Sequence, residues 1–242
     1  MILNIKSYVN YNLKELIKKG YLAIGLLGAL GPALLVSYFI ITAANTPFNI
    51  KHVSNFYCML GMLAAVLHPL YFVNRDYSSK TISLINNSKQ NRTNYVLANV
   101  VIALLVSLLY VALGISLLLV TQQLGVPGEL KLSFLLGFCI NALLLVLTYF
   151  LLGYILLLNG VRSGAVYSIL TAMLLFIPNI LANILDSTNN KVFTGLIENF
   201  PGYFYPVMVG SNPLSFLQYF IASLTLIVLF VLVLKRSKKI EI

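Results

Sequence analysis

Residues 95–120 read YVLANVVIALLVSLLYVALGISLLLV, a run without a single charged side chain. A helix needs about 20 apolar residues to cross the hydrocarbon core of a bilayer, and this stretch exceeds that length. Five further runs qualify: Tyr21–Ala43, Asn55–Val73, Ser133–Leu158, Ala165–Leu185 and Pro213–Leu234. Composition agrees. The chain of 242 residues is 60% hydrophobic and 9% charged, with a mean hydropathy of +0.92. A soluble domain sits nearer half apolar and a quarter charged, so the excess has to face lipid. The expectation is an all-α integral membrane protein, one transmembrane domain over 1–242, with no room for a large soluble domain. Cys58 and Cys139 lie inside apolar runs and read as small buried hydrophobes. Lys14, Lys18 and Lys19 precede a first run too long for the apolar core of a cleavable leader.

Six spans put both ends of the chain on one side, and basic residues choose the side. With the ends inside, 1–20, 75–94, 159–164 and 235–242 carry thirteen of the 16 basic residues; Lys51, Lys131 and Lys191 are the other three. That distribution accounts for the net charge of +10 as a basic cytoplasmic rim beside anionic lipid, without nucleic acid. Ahead of the first span, Ile2, Ile5, Val9, Leu13, Leu16 and Ile17 recur at helical spacing, with Lys6, Asn10, Lys14 and Lys18 between them. Residues 1–20 are therefore expected to form an amphipathic helix in the inner interface, as a passive anchor or as a contact for a cytosolic subunit.

Several polar or small residues have two readings. Gly25, Gly28 and Gly31, followed by Pro32, allow close helix approach at a subunit seam or gate, or serve packing within the chain. His68 has no intramembrane acid or base beside it, which favours a hydrogen-bonding role over a proton relay. Asn99, Asn141, Asn179 and Asn183 are interhelical hydrogen-bond partners or the lining of a polar path. In the outer segment 186–212, Val192–Asn199 has the makings of a short helix. Phe200, Pro201, Tyr203, Tyr205 and Pro206 follow it and suit either an aromatic belt or a re-entrant element that caps an exit path; the density of prolines favours the second. No phosphate-binding Gly-x-x-x-x-Gly-Lys-[Ser/Thr] occurs, no His-Glu-x-x-His occurs, and no carboxylate lies within a span, so neither catalysis nor ATP binding is expected in this chain.

The short basic segment between the second and third runs, 75–92, is where such a protein meets a soluble partner. It resembles the first cytoplasmic loop of ABC-2 type (type V) transporter permeases. That family places an acidic residue, a Gly-Thr five positions on, a leucine-rich turn, Pro-x-x-Arg, and a lysine opening the third span. Asp76 matches the acid, Thr81 the threonine, Leu84 and Ile85 the apolar turn, and Arg92 the arginine; Lys80, Lys89 and Asn99 replace the glycine, proline and lysine. The helix ahead of the first span, the six spans, the re-entrant stretch before the last of them and the basic tail 235–239 fit the same pattern. The resemblance implies the membrane half of an exporter in a bacterial cell membrane. Two permease chains, alike or different, would pair with two ATPase subunits holding the ATP and magnesium. The loop would supply a coupling helix with Ile82 and Ile85 as anchors and Lys80, Lys89 and Arg92 around them. Short outer loops and a composition rich in Asn, Lys and Ile are similar to permeases of lantibiotic immunity and phenol-soluble modulin export. They imply a cationic amphipathic peptide as substrate. A lipid or hydrophobic-drug exporter, or an immunity protein that transports nothing, are the alternatives. A secondary transporter or channel would call for internal repeats or charged spans, and the sequence offers neither.

Overall fold

A computed structural model describes residues 2–43, 46–79, 81–82, 87–188 and 190–239. Among them there is no strand, and six helices are long and apolar enough to cross a membrane. The chain is a multi-pass α-helical membrane protein. Helix α1 spans Ile5–Lys18, α2 Tyr21–Thr42, α3 Ile50–Ser78, α4 Lys89–Gln123 and α5 Leu132–Leu158. The fifth membrane helix, α6, runs over Ser163–Ser187 with one π turn at Ala172–Phe176. Two short helices, α7 (Lys191–Glu198) and α8 (Pro201–Met208), precede α9 (Phe216–Lys239).

Several helices outrun the apolar windows, for capping reasons. Asn49 caps α3: its side chain accepts from the Lys51 N–H, while its own N–H donates to His52 Nδ1 at 3.1 Å. That starts the helix five residues before Asn55, and it runs on to Ser78, carrying Arg75 and Asp76 into its last turn. Ser88 caps α4 by accepting from Asn91 N–H at 3.1 Å. At 35 residues, α4 is roughly 52 Å long against about 30 Å of hydrocarbon, so its ends stand in the headgroups or in water.

Helix α3 is the hub, packed on α2, α4, α5 and α6, while α9 closes against α4 and α5. Within their most apolar windows α3 and α5 are 56% buried, whereas α2 is 22% and α6 and α9 are each 17% buried. The three peripheral helices thus present most of their surface to lipid or to another chain. Tyr57, Tyr110, Phe72, Phe138 and Phe150 fill the core. Gly114 lets α4 pass there: a Cβ on it would sit 2.7 Å from the Tyr57 ring and 2.8 Å from Phe138.

The amphipathic helix forms, but its apolar stripe is divided. Val9 and Leu16 are buried against the bundle, Ile5 and Leu13 pack partly on it, and Ile2 and Ile17 stay exposed. The bundle side of α1 also carries Tyr8, Asn12 and Glu15, which no apolar periodicity would reveal.

Candidate coupling site at the basic end

These three polar residues meet the last turn of α3. The Arg75 guanidinium donates from Nη2 to Asn12 Oδ1 at 2.9 Å and is ion-paired through Nη1 with Glu15. It also donates to Asp76 Oδ1, from Nε at 2.9 Å and from Nη2 at 2.7 Å. The other Asp76 oxygen accepts from the hydroxyls of Tyr8 on α1 and Tyr95 on α4 (3.1 Å for Tyr95). Glu15 is paired on its second oxygen with Lys19 at 2.7 Å, and Lys19 donates to the Tyr71 hydroxyl at 3.1 Å. One aspartate therefore holds α1, α3 and α4 together, and one arginine is shared by two carboxylates. Asp76 is buried, so its charge has to be met by donors, and four are supplied.

The charges tune one another. Burial pushes the Glu15 carboxyl up, but the hydrogen bonds and charges of Lys19 and Arg75 outweigh it and hold it below its ordinary value. The Tyr8 hydroxyl is pushed up by burial first and by the Asp76 charge second, which keeps it a proton donor. Lys19 is raised by its hydrogen bond to Glu15.

The far side of the loop is anchored as well. Asn91 Oδ1 accepts from the Leu3 N–H at 2.8 Å, and Asn94 Nδ2 donates to the Leu3 carbonyl at 3.2 Å. Arg92 donates to the Lys238 carbonyl at 2.8 Å, in the last turn of α9. The two helix ends that flank the segment are thus both tied, α3 to α1 and α4 to Leu3 just ahead of α1, with α9 tied to the same turn of α4.

The residues expected to face a partner divide. Asp76 and Ile82 are turned inward and buried. Asp76 has the structural part just described, and Ile82 belongs to the hydrophobic core. Thr81 and Lys89 are exposed and Arg92 is half-buried; Thr81 Oγ1 donates back to the Asp76 carbonyl at 3.3 Å. Lys80, Leu84 and Ile85 lie outside the described residues. The cluster of Tyr8, Asn12, Glu15, Arg75 and Tyr95 was not singled out by sequence. The signal available was scarcity: with six acidic residues in the chain, one in α1 and one beside Arg75 are conspicuous.

The glycines divide too. Gly25 packs inside the chain, where a Cβ would strike the Tyr110 hydroxyl and His68. Those two groups bond each other at 3.0 Å. Gly28 and Gly31 face open space, on the side of α2 that exposes Leu27, Leu34, Leu35 and Tyr38. Pro32 lacks the N–H that would close a helical bond to the Gly28 carbonyl.

In the segment before α9, Phe200 is exposed and Pro201 and Tyr203 are half-buried, but Phe204 and Tyr205 are fully buried. Tyr205 lies 3.2 Å from Thr148 Oγ1 on α5 and edge-on to Tyr149. Helix α8 is thus folded back into the bundle, and a belt of ring side chains at the surface does not describe it. Asn141 Nδ2 donates to the Asn212 carbonyl at 3.0 Å, Asn99 Nδ2 to the Tyr95 carbonyl at 2.9 Å and Asn179 Nδ2 to the Leu175 carbonyl at 2.8 Å; Asn183 is exposed. Below α8 a cavity of about 300 Å³ opens between α3, α5 and α6, with Pro206 in its wall. Among the described residues no group of three or more His, Cys, Asp or Glu side chains gathers to hold a metal ion. No family model matches the chain, and no curated protein sequence matches it.

Proposed function

We propose that this chain is the membrane subunit of an ATP-driven exporter of the ABC-2 type, in which the basic end faces the cytosol and the segment between α3 and α4 docks on a separate ATPase. The observation that carries this reading is the double anchoring of that segment. A loop that transmits force cannot slip against the helices it drives. Here its entry is held by Asp76 and Arg75 against α1, and its exit by Asn91, Asn94 and Arg92 against Leu3 and α9. A push on the loop therefore moves α1, α3, α4 and the end of α9 as one body. Arg75 and Asp76 position the loop, and contact with the ATPase falls to Lys80, Thr81, Leu84, Ile85, Lys89 and Arg92. The ATPase brings ATP and magnesium; this chain is not an enzyme.

A second permease chain, identical or not, is proposed to cover the outward face of α2. Gly28 and Gly31 allow close approach there, and Pro32 deprives the Gly28 carbonyl of its helical partner.

The substrate read from this architecture is an amphipathic, cationic peptide leaving a bacterial membrane outward. Within the spans there is no carboxylate to replace the hydration of a small ion or sugar. The cavity under α8 combines apolar side chains such as Met59, Met62, Leu145 and Leu174 with Asn55 and Asn179 in its lining, which suits a molecule with two faces. A lipid or hydrophobic drug shares that chemistry. The test is ATP hydrolysis by the reconstituted complex against cationic amphipathic helices, lipids, sugars and metal ions. Stimulation by the helices is expected; stimulation by sugars or ions alone would refute the reading, and stimulation by lipids alone would move it to a lipid exporter.

A further inference from the structure

The cavity under α8 is bounded by the π turn of α6. At the π turn the Ile177 N–H donates to the Ala172 carbonyl, five residues back instead of four. Pro178 follows directly and has no N–H to offer the Leu174 carbonyl. Leu174, Leu175, Pro178 and Asn179 of this stretch line the cavity, opposite Cys58 and Met62 of α3. Packing changes at the same place. Before the π turn α6 rests on α3 and α5; after it, Ile177–Ser187 rests chiefly on α7 and α8. Helix α8 is fixed by the Tyr205–Thr148 contact, and the chain after it by the Asn141–Asn212 bond. The outer half of α6 has no such tie to the bundle core among the described residues.

We propose that Ile177–Ser187 is a gate hinged at the π turn, which swings away from α8 and opens the cavity sideways to the apolar face of an amphiphile. Weak helical bonding is confined to five residues, and the segment beyond them is short and amphipathic. Its inward partner is a cavity and not a packed core, so motion there breaks little. The gate rests on the proposed function only for the identity of its traffic. It is a property of this chain alone and is tested without an ATPase.

Cys58 reports on the cavity. It lies in the wall and is 4% exposed, so a thiol reagent reaches it slowly in the structure as it stands and faster when the outer half of α6 moves away. The experiment measures the rate at which a small apolar maleimide modifies Cys58 in the purified chain, in a Cys139→Ser background. Three forms are compared: Pro178 retained, Pro178→Ala and Pro178→Gly. Alanine restores the missing donor and stiffens α6, while glycine removes the same ring but leaves the helix loose. Both substitutions enlarge the space near the cavity, so a purely steric effect would speed labelling in both. The gate predicts labelling at least fivefold slower in Pro178→Ala than with proline, and several-fold faster in Pro178→Gly than in Pro178→Ala. Thermal unfolding establishes that each variant is folded; should the glycine form not fold, the alanine form decides alone. Labelling of Pro178→Ala as fast as that of the proline form, equal slowing in both variants, or no labelling of Cys58 in any form overturns the proposal.

Discussion

Arg75 is the residue on which most depends. It sits between two carboxylates and an amide, and its removal leaves the buried Asp76 with tyrosine donors alone and Glu15 with Lys19 alone. Breaking a buried pair in this way costs about 3–5 kcal/mol; solvent reaches Glu15 and Arg75, so the lower end applies. Arg75→Ala is expected to free α1, read as new protease cleavage within 5–18 and a lower unfolding temperature, whereas Asp76→Asn, which retains an acceptor for the tyrosines, is expected to do less. Acid should act on the same joint. Glu15 titrates below its ordinary value near 4.5, so its share of the stability is complete above that value and is lost as pH falls through the folded one. Glu15→Gln should flatten the acid-induced release of α1, and an unchanged acid profile would mean that Glu15 is not its origin. Of this joint the sequence marked Asp76 alone, and as a residue of the coupling loop instead of a tie between helices. Tyr8, Asn12 and Tyr95 are ordinary polar residues at their positions, and only the approach of α1 to α3 and α4 makes them partners of one aspartate.

At the scale of elements, the spans were legible because their signal is local: an apolar run of sufficient length has one outcome in lipid. Their ends were not, because caps decide them. Asn49 starts α3 ahead of its apolar window, α3 runs on past that window far enough to include Asp76, and Ser88 starts α4 early enough to include Asn91, so both residues lie in helices instead of a loop. The π turn of α6 was hidden for a similar reason, since Pro178 in an apolar run marks a break without saying of what kind. The glycines of α2 show where spacing stops being informative. Gly25 and Gly31 are alike in sequence, yet one packs on His68 and Tyr110 and the other meets nothing. Gly25→Ala is therefore expected to destabilise the isolated chain by about 1–3 kcal/mol, as overpacking does. Gly31→Ala should stay within about 0.5 kcal/mol, as surface changes do, while weakening self-association if a second chain covers that face. Thermal unfolding and cross-linking in detergent measure the two effects separately. Equal destabilisation by both would contradict the described packing of α2.

For the whole molecule, the account rests on which end meets the cytosol. Lys6, Lys14, Lys18, Lys19, Arg75, Lys89, Arg92, Arg162 and the lysines and arginine of α9 gather at one end, and Lys51, Lys131 and Lys191 at the other. Single cysteines at Ser79 and Lys191, with Cys58 and Cys139 replaced by serine, test the orientation. An impermeant thiol reagent should label position 191 in intact cells and position 79 only after permeabilisation; labelling of 79 alone would invert the protein. The claim that matters most remains the coupling of this end to an ATPase. The most direct measurement is magnesium-dependent ATP hydrolysis in the complex affinity-purified from the native membrane, for the chain as it stands and for Ile85→Asp. A charge placed in an apolar groove is costly to bury without a partner. The account predicts that the unaltered chain brings ATP hydrolysis with it and that Ile85→Asp, though still folded in the membrane, loses the ATPase or its stimulation. A purified complex without ATP hydrolysis, or one as active with Ile85→Asp as without it, would contradict the account.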